Sequence, residues 1–117
     1  MKKIYFLSTC STCSRILGEI QAEKKGFVLQ DIKTENISPA QLDELKEKAG
    51  SYEALFSRRA LKYKELGLKD KALTEKDYRR LILAEYTFLK RPVALLDGKV
   101  FVGSEKGTVA RLEIAMK

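Results

Sequence analysis

Lys3-Ile4-Tyr5-Phe6-Leu7-Ser8-Thr9-Cys10-Ser11-Thr12-Cys13 runs from an apolar segment directly into a C-x-x-C motif. Cys10 and Cys13 are the only cysteines in the chain. Lys3–Ser8 reads as a buried strand, and the pattern after it is helical. Ile16, Leu17 and Ile20 share one face of a helix expected from Ser11 to about Lys25 and closed near Gly26. Residues three apart stack on one face of a helix, so the two sulfurs can approach bonding distance. The unpaired N–H groups of a helix start favour negative charge, which lowers the pKa of the first thiol. A strand that delivers two thiols to a helix N-terminus therefore reads as a dithiol redox site.

Working outward, Phe27–Asp31 is a second strand, and the short strand–helix–strand spacing predicts a parallel βαβ unit. Ser38-Pro39-Ala40-Gln41 starts a further helix, with a Ser N-cap, Pro in the first turn and Gln in the capping-box position. That helix carries Leu42 and Leu45 and is expected to end near Gly50. Tyr52–Phe56 is a short helical or irregular piece, Leu61–Leu66 a turn or two stopped at Gly67. Thr74 caps a helix with Tyr78, Leu81, Ile82 and Tyr86 on its apolar face. Lys90–Leu96 reads as a strand entered through Pro92, Asp97-Gly98 as a hairpin turn, Val100–Val102 as the returning strand, and Ser104 or Glu105 as the opening of a last helix through Met116. The expected class is α/β: βαβ and ββα halves of one mixed sheet, a thioredoxin-like plan, in a single domain over residues 1–117 with a helical insertion at about 38–88.

Composition restricts the chemistry. A chain of 117 residues with 44% apolar and 33% charged residues suits one globular domain. No secretory signal and no membrane-length apolar run is evident, so the expected compartment is the cytoplasm, where a disulfide is usually catalytic or redox-sensing. There is no histidine, which excludes Cys–His and Ser–His–Asp nucleophiles, and two cysteines without histidine cannot supply a four-ligand structural zinc site. The net charge of +7 is concentrated between Phe56 and Arg91, with 11 Lys/Arg against 5 Asp/Glu. Such a surface attracts anions or an acidic partner; no DNA-binding motif accompanies it, so direct DNA binding is not expected.

In order and spacing, four pieces resemble the arsenate-reductase (ArsC) family and its Spx branch: Cys10-Ser11-Thr12-Cys13 after the first strand, Ser57-Arg58-Arg59 before Lys64-Glu65-Leu66, Arg91-Pro92-Val93, and Val102-Gly103 after the hairpin. The resemblance implies a thioredoxin-like fold with a helical insertion and, in the reductases, a cysteine that attacks an oxyanion. Glutaredoxin-coupled arsenate reductases carry serine at the position of Cys13 and three oxyanion-binding arginines. Only Arg91 matches one of the three here; the second falls on Ser57, beside Arg58 and Arg59, and the third on Gly103. The C-x-x-C pair and Val102-Gly103 lean toward the Spx-like branch.

The candidate site residues follow. Cys10 is the nucleophile and Cys13 the resolving thiol. Ser11 and Thr12 supply backbone N–H groups to an anion at the helix start. Arg91 brings a planar donor fork suited to an oxyanion or a carboxylate-bearing thiol, and the resemblance places Pro92, usually cis in this fold, against the cysteine. Arg59 is the second cation matched by the Spx-like pattern. The leading expectation is a cytoplasmic thiol-dependent oxidoreductase acting on a small oxyanion or a disulfide, without metal or organic cofactor. It would be reset by an external thiol donor such as glutathione, glutaredoxin or thioredoxin. The alternative is an Spx-like redox-sensing regulator that binds RNA polymerase through its basic surface.

Overall fold

A computed structural model describes residues 2–117. Its elements in chain order are β1 (Lys2–Phe6), α1 (Ser11–Ile20), β2 (Val28–Asp31), α2 (Pro39–Ala49), α3 (Leu61–Glu65), α4 (Glu75–Ala84), β3 (Val93–Leu96), β4 (Lys99–Val102) and α5 (Lys106–Ala115), with 3₁₀ turns at Glu53–Leu55, Leu68–Asp70 and Tyr86–Phe88. The chain divides into two compact units. One runs to Glu35 and resumes over Arg91–Lys117; the other is Asn36–Lys90. Among the described residues no helix is long and apolar enough to cross a membrane.

The first unit holds a mixed sheet of order β2-β1-β3-β4. β1 and β2 are parallel, with Ile4 opposite Leu29 and Phe6 opposite Asp31. β3 runs antiparallel to both β1 and β4. The βαβ and ββα halves expected from the sequence therefore share one sheet. Every residue of β3 is buried, as an unbroken Val-Ala-Leu-Leu run with both faces covered must be. Ile4, Ala94 and Leu96 of the sheet pack with Ile16 and Ile20 of α1 and Leu112 of α5. Positions 16 and 20 lie four apart on one helix face, so α1 buries that face, with Cys13 at its start, while Ser11 and Ser14 stay exposed. The hairpin turn has positive φ at both Asp97 (48°) and Gly98 (85°), the requirement of a type I′ turn that Asp-Gly meets at low cost.

Two boundaries differ from expectation by three residues or more. α1 stops at Ile20, five residues before Lys25. Gln21 turns left-handed (φ 55°), its N–H donates to the Gly18 carbonyl, and the Ala22 N–H donates to the Leu17 carbonyl. This is a Schellman closure; Ala22 and Leu17 join the same apolar cluster, so burial of Ala22 ends the helix ahead of Gly26. The third strand begins at Val93, not Lys90. The Lys90 N–H is already committed to the Leu55 carbonyl (2.8 Å), next to a bridge between Phe56 and Leu89.

Within Asn36–Lys90, the predicted capping box of Ser38 with Gln41 forms at the start of α2, and Thr74, the predicted cap of α4, forms one with Asp77. Asp43 of α2 accepts two hydrogen bonds from Arg79 of α4 (2.9 and 3.2 Å) and one from the Tyr52 hydroxyl (2.6 Å). Phe56, fully buried, packs on Tyr63, Tyr78 and Phe88 with ring centroids 6.0, 4.9 and 4.9 Å away. Tyr86, expected on the face of α4, instead lies in the following 3₁₀ turn. Glu85 becomes extended there, and its carboxylate accepts from the N–H and hydroxyl of Thr87.

Candidate active site

Cys10 is the N-cap of α1, with extended backbone (φ −94°, ψ 110°), and no side chain caps the helix. Its carbonyl accepts from the Ser14 N–H (3.2 Å) and its own N–H donates to the Leu7 carbonyl (3.0 Å), closing the turn between β1 and α1. Ser11 and Thr12 occupy the first two helical positions, where N–H groups lack intrahelical acceptors. Ser11 is exposed and Thr12 half-buried. Cys10 is half-buried, Cys13 has 0% exposure, and both are free thiols. The helical spacing thus leaves one sulfur reachable and seals the other against the core.

The electrostatics divide the pair. Burial opposes ionisation of Cys10, but hydrogen bonds from the Cys13 backbone and thiol, with the charge and hydrogen bond of Arg91, outweigh it and lower the pKa. Burial pushes the Cys13 thiol up to about 12; a hydrogen bond with the Leu7 backbone works against that rise, and the neighbouring Cys10 sulfur adds to it. One thiol is prepared to be a thiolate and the other holds its proton.

Arg91 is close enough to Cys10 to act on it through its charge and a hydrogen bond. The Arg91–Pro92 peptide bond is cis, Pro92 is buried, and its carbonyl accepts from the Gly103 N–H (2.9 Å), which ties the strand entry to the end of β4. Cys10, Cys13, Ser11, Thr12, Arg91 and Pro92 all belong to the first unit. Arg59 belongs to the second, on the exposed turn before α3, where its N–H meets the Ser57 hydroxyl (3.4 Å). Its neighbour Arg58 is engaged by Glu53 (2.7 Å) and the Tyr78 hydroxyl (3.0 Å). Arg15 pairs with Glu19 in the exposed i,i+4 manner. Among the described residues no group of three or more His, Cys, Asp or Glu is placed to hold a metal ion.

Two contributors escaped the sequence reading. Leu7, 4% exposed, looks like a plain core residue, yet its backbone bonds both cysteines. Asp31 ends β2, and its carboxylate accepts from the Ser8 N–H in the turn before Cys10. The one signal for it was an acidic residue closing a strand predicted to lie parallel to β1.

The profile of the ArsC family matches residues 5–112. Solved structures similar to this chain include an arsenate reductase from Vibrio cholerae (20% identity, TM-score 0.78, covering 97% of this chain and 96% of that one). A possible arsenate reductase from Streptococcus mutans is 25% identical (TM-score 0.77, covering 97% and 98%). An arsenate reductase (ArsC) related protein from Brucella melitensis is 23% identical (TM-score 0.72, covering 94% and 92%). No curated protein sequence matches. These likenesses agree with the thioredoxin-like arrangement of the sheet described above.

Proposed function

The chain belongs to the ArsC family, and from that premise we propose that it is a thiol-dependent oxidoreductase in which Cys10 is the nucleophile and Cys13 resolves the adduct. The observation that carries this reading is the asymmetry of the pair: a reachable, acidified Cys10 beside Arg91, and a sealed Cys13 one helical turn away.

With a disulfide substrate, the Cys10 thiolate attacks one sulfur, the substrate S–S bond breaks, and the first thiolate leaves with the bonding pair. Cys13 then loses its proton and attacks the Cys10 sulfur. The Cys10–Cys13 bond forms, the second substrate thiolate leaves, and the proton ends on a departing thiolate or water. The substrate gains two electrons and the protein loses two, which an external dithiol, or two equivalents of a monothiol such as glutathione, restores. With arsenate, Cys10 sulfur displaces water from As(V); attack by Cys13 on that sulfur releases As(III) and leaves the same disulfide. In both cases the N–H groups of Ser11 and Thr12 and the Arg91 guanidinium face the developing negative charge, with Pro92 holding the strand entry beside it.

The test is reduction of glutathione mixed disulfide and of arsenate by the wild type, Cys10→Ser and Cys13→Ser in the presence of thiol donors. Cys10→Ser should abolish turnover, and Cys13→Ser should accumulate a covalent adduct on Cys10 visible by mass. No turnover of either substrate by the wild type, with no adduct on Cys13→Ser, refutes the enzyme.

A second role is favoured by the charge of +7: a redox-sensing protein whose Cys10–Cys13 disulfide alters binding to an acidic partner, RNA polymerase in the Spx-like version. Co-purification with polymerase that changes on reduction distinguishes it from the enzyme.

A further inference from the structure

We propose that Asp31 is a positioning residue for Cys10, its carboxylate pinning the turn that carries the thiol; this rests on the oxidoreductase reading above. Because β1 and β2 are parallel, their last residues, Phe6 and Asp31, are register partners and end at the same edge of the sheet. The Ile32 N–H donates to the Phe6 carbonyl (2.9 Å), carrying the ladder one step further. Asp31 Oδ1 accepts from the Ser8 N–H (3.2 Å) and from the Lys33 N–H (3.1 Å). The Ser8 hydroxyl is a further donor, the largest of the influences that hold this carboxyl below its ordinary range.

Ser8 is two residues from Cys10 and adjoins Leu7, whose carbonyl accepts the Cys10 N–H and whose backbone also bonds Cys13. Ser8 and Thr9 are both exposed, so burial of their side chains does not hold the turn. The path from Asp31 to the thiols is therefore short: carboxylate to Ser8, Ser8 to Leu7, Leu7 to both cysteines. Carboxylates that collect several N–H and O–H donors hold strands and turns rigidly, and a nucleophile misplaced by a fraction of an ångström loses the hydrogen bonds that stabilise its thiolate.

The sign of the effect separates positioning from simple charge. As a bare negative charge near the thiol, Asp31 opposes its ionisation, and deleting it would make Cys10 more acidic. As a clamp, Asp31 supports ionisation, and deleting it makes Cys10 less acidic. The experiment measures thiolate absorbance against pH and the alkylation rate of Cys10 at neutral pH in the reduced protein, for wild type, Asp31→Ala and Asp31→Asn. We expect Asp31→Ala to raise the Cys10 pKa and slow alkylation by about threefold or more as the thiolate fraction shrinks. Asp31→Asn keeps an acceptor for the Ser8 and Lys33 N–H groups and should restore reactivity to near wild type. Should Asp31→Ala fail to fold, Ser8→Ala, which removes one donor, must shift Cys10 in the same direction by a smaller amount. A Cys10 pKa that falls or stays put in Asp31→Ala, or in Ser8→Ala where Asp31→Ala does not fold, overturns the proposal. A wild-type Cys10 with an unperturbed thiol pKa would instead overturn the oxidoreductase reading beneath it.

Discussion

Cys13 should be nearly inert in the reduced protein, and the structure sets how inert. Its thiol stands at about 12 against an ordinary value of 9.0. At about pH 8 that difference leaves roughly a thousandfold less thiolate than an ordinary cysteine has. Part of the loss is returned, because a more basic thiolate is a better nucleophile; with a Brønsted slope of about 0.45 the gain is roughly twentyfold. The net expectation is alkylation about 50-fold slower than a free thiol, before any further slowing from its 0% exposure. The assay is iodoacetamide labelling of reduced protein with peptide mapping, Cys10 serving as the internal comparison. Two of the influences that raise Cys13 come from the Cys10 sulfur, its hydrogen bond and its charge; both change once Cys10 is tied up in an adduct. Cys10→Ala should therefore label faster at Cys13 than the wild type does, though burial, the largest influence, persists. Labelling of wild-type Cys13 within about fivefold of a free thiol would refute the argument that burial keeps it protonated.

Phe56→Ala should cost about 3–5 kcal/mol in urea unfolding, because a fully buried ring loses three aromatic neighbours; a loss below about 1.5 kcal/mol would contradict that packing. Asp43 is held at about 2, chiefly by its hydrogen bonds from Arg79 and Tyr52. A depressed carboxyl stabilises the fold above its unfolded value of 3.8 and loses that contribution as pH falls through about 2. The difference in urea midpoint between wild type and Asp43→Asn should accordingly shrink across that window, and a difference independent of pH there would be the wrong outcome. Gln21→Gly should stabilise by up to about 1 kcal/mol, because a non-glycine residue now occupies the left-handed closure of α1. A lower melting temperature for that variant would argue against the closure.

Much of the fold was legible because local chemistry forced it. Ser38-Pro39-Ala40-Gln41 and Thr74-Glu75-Lys76-Asp77 can each satisfy a helix start from within four residues, and both do. Asp97-Gly98 meets the positive-φ demand of its turn without help from elsewhere. The end of α1 was not legible, since Gln21 is an ordinary helix former; burying Ala22 and closing onto the Leu17 carbonyl requires a sheet to bury it against. The start of β3 was missed for a similar reason, the Lys90 N–H being taken by Leu55, 35 positions away in the chain.

By itself the sequence determined the thiol pair, its place at a helix start, and the absence of a histidine base: spacing and composition are local properties, and helical periodicity converts them into geometry. The sequence already pointed to Cys10 as the more acidic thiol through its place at a helix start; tertiary structure decided how far the two thiols are set apart. Desolvation of Cys13 and the approach of Arg91 to Cys10 depend on how β1, β3 and α1 pack. It also decided that Asp31 meets Ser8, because parallel pairing of β1 and β2 brings together two strand ends separated by an entire helix.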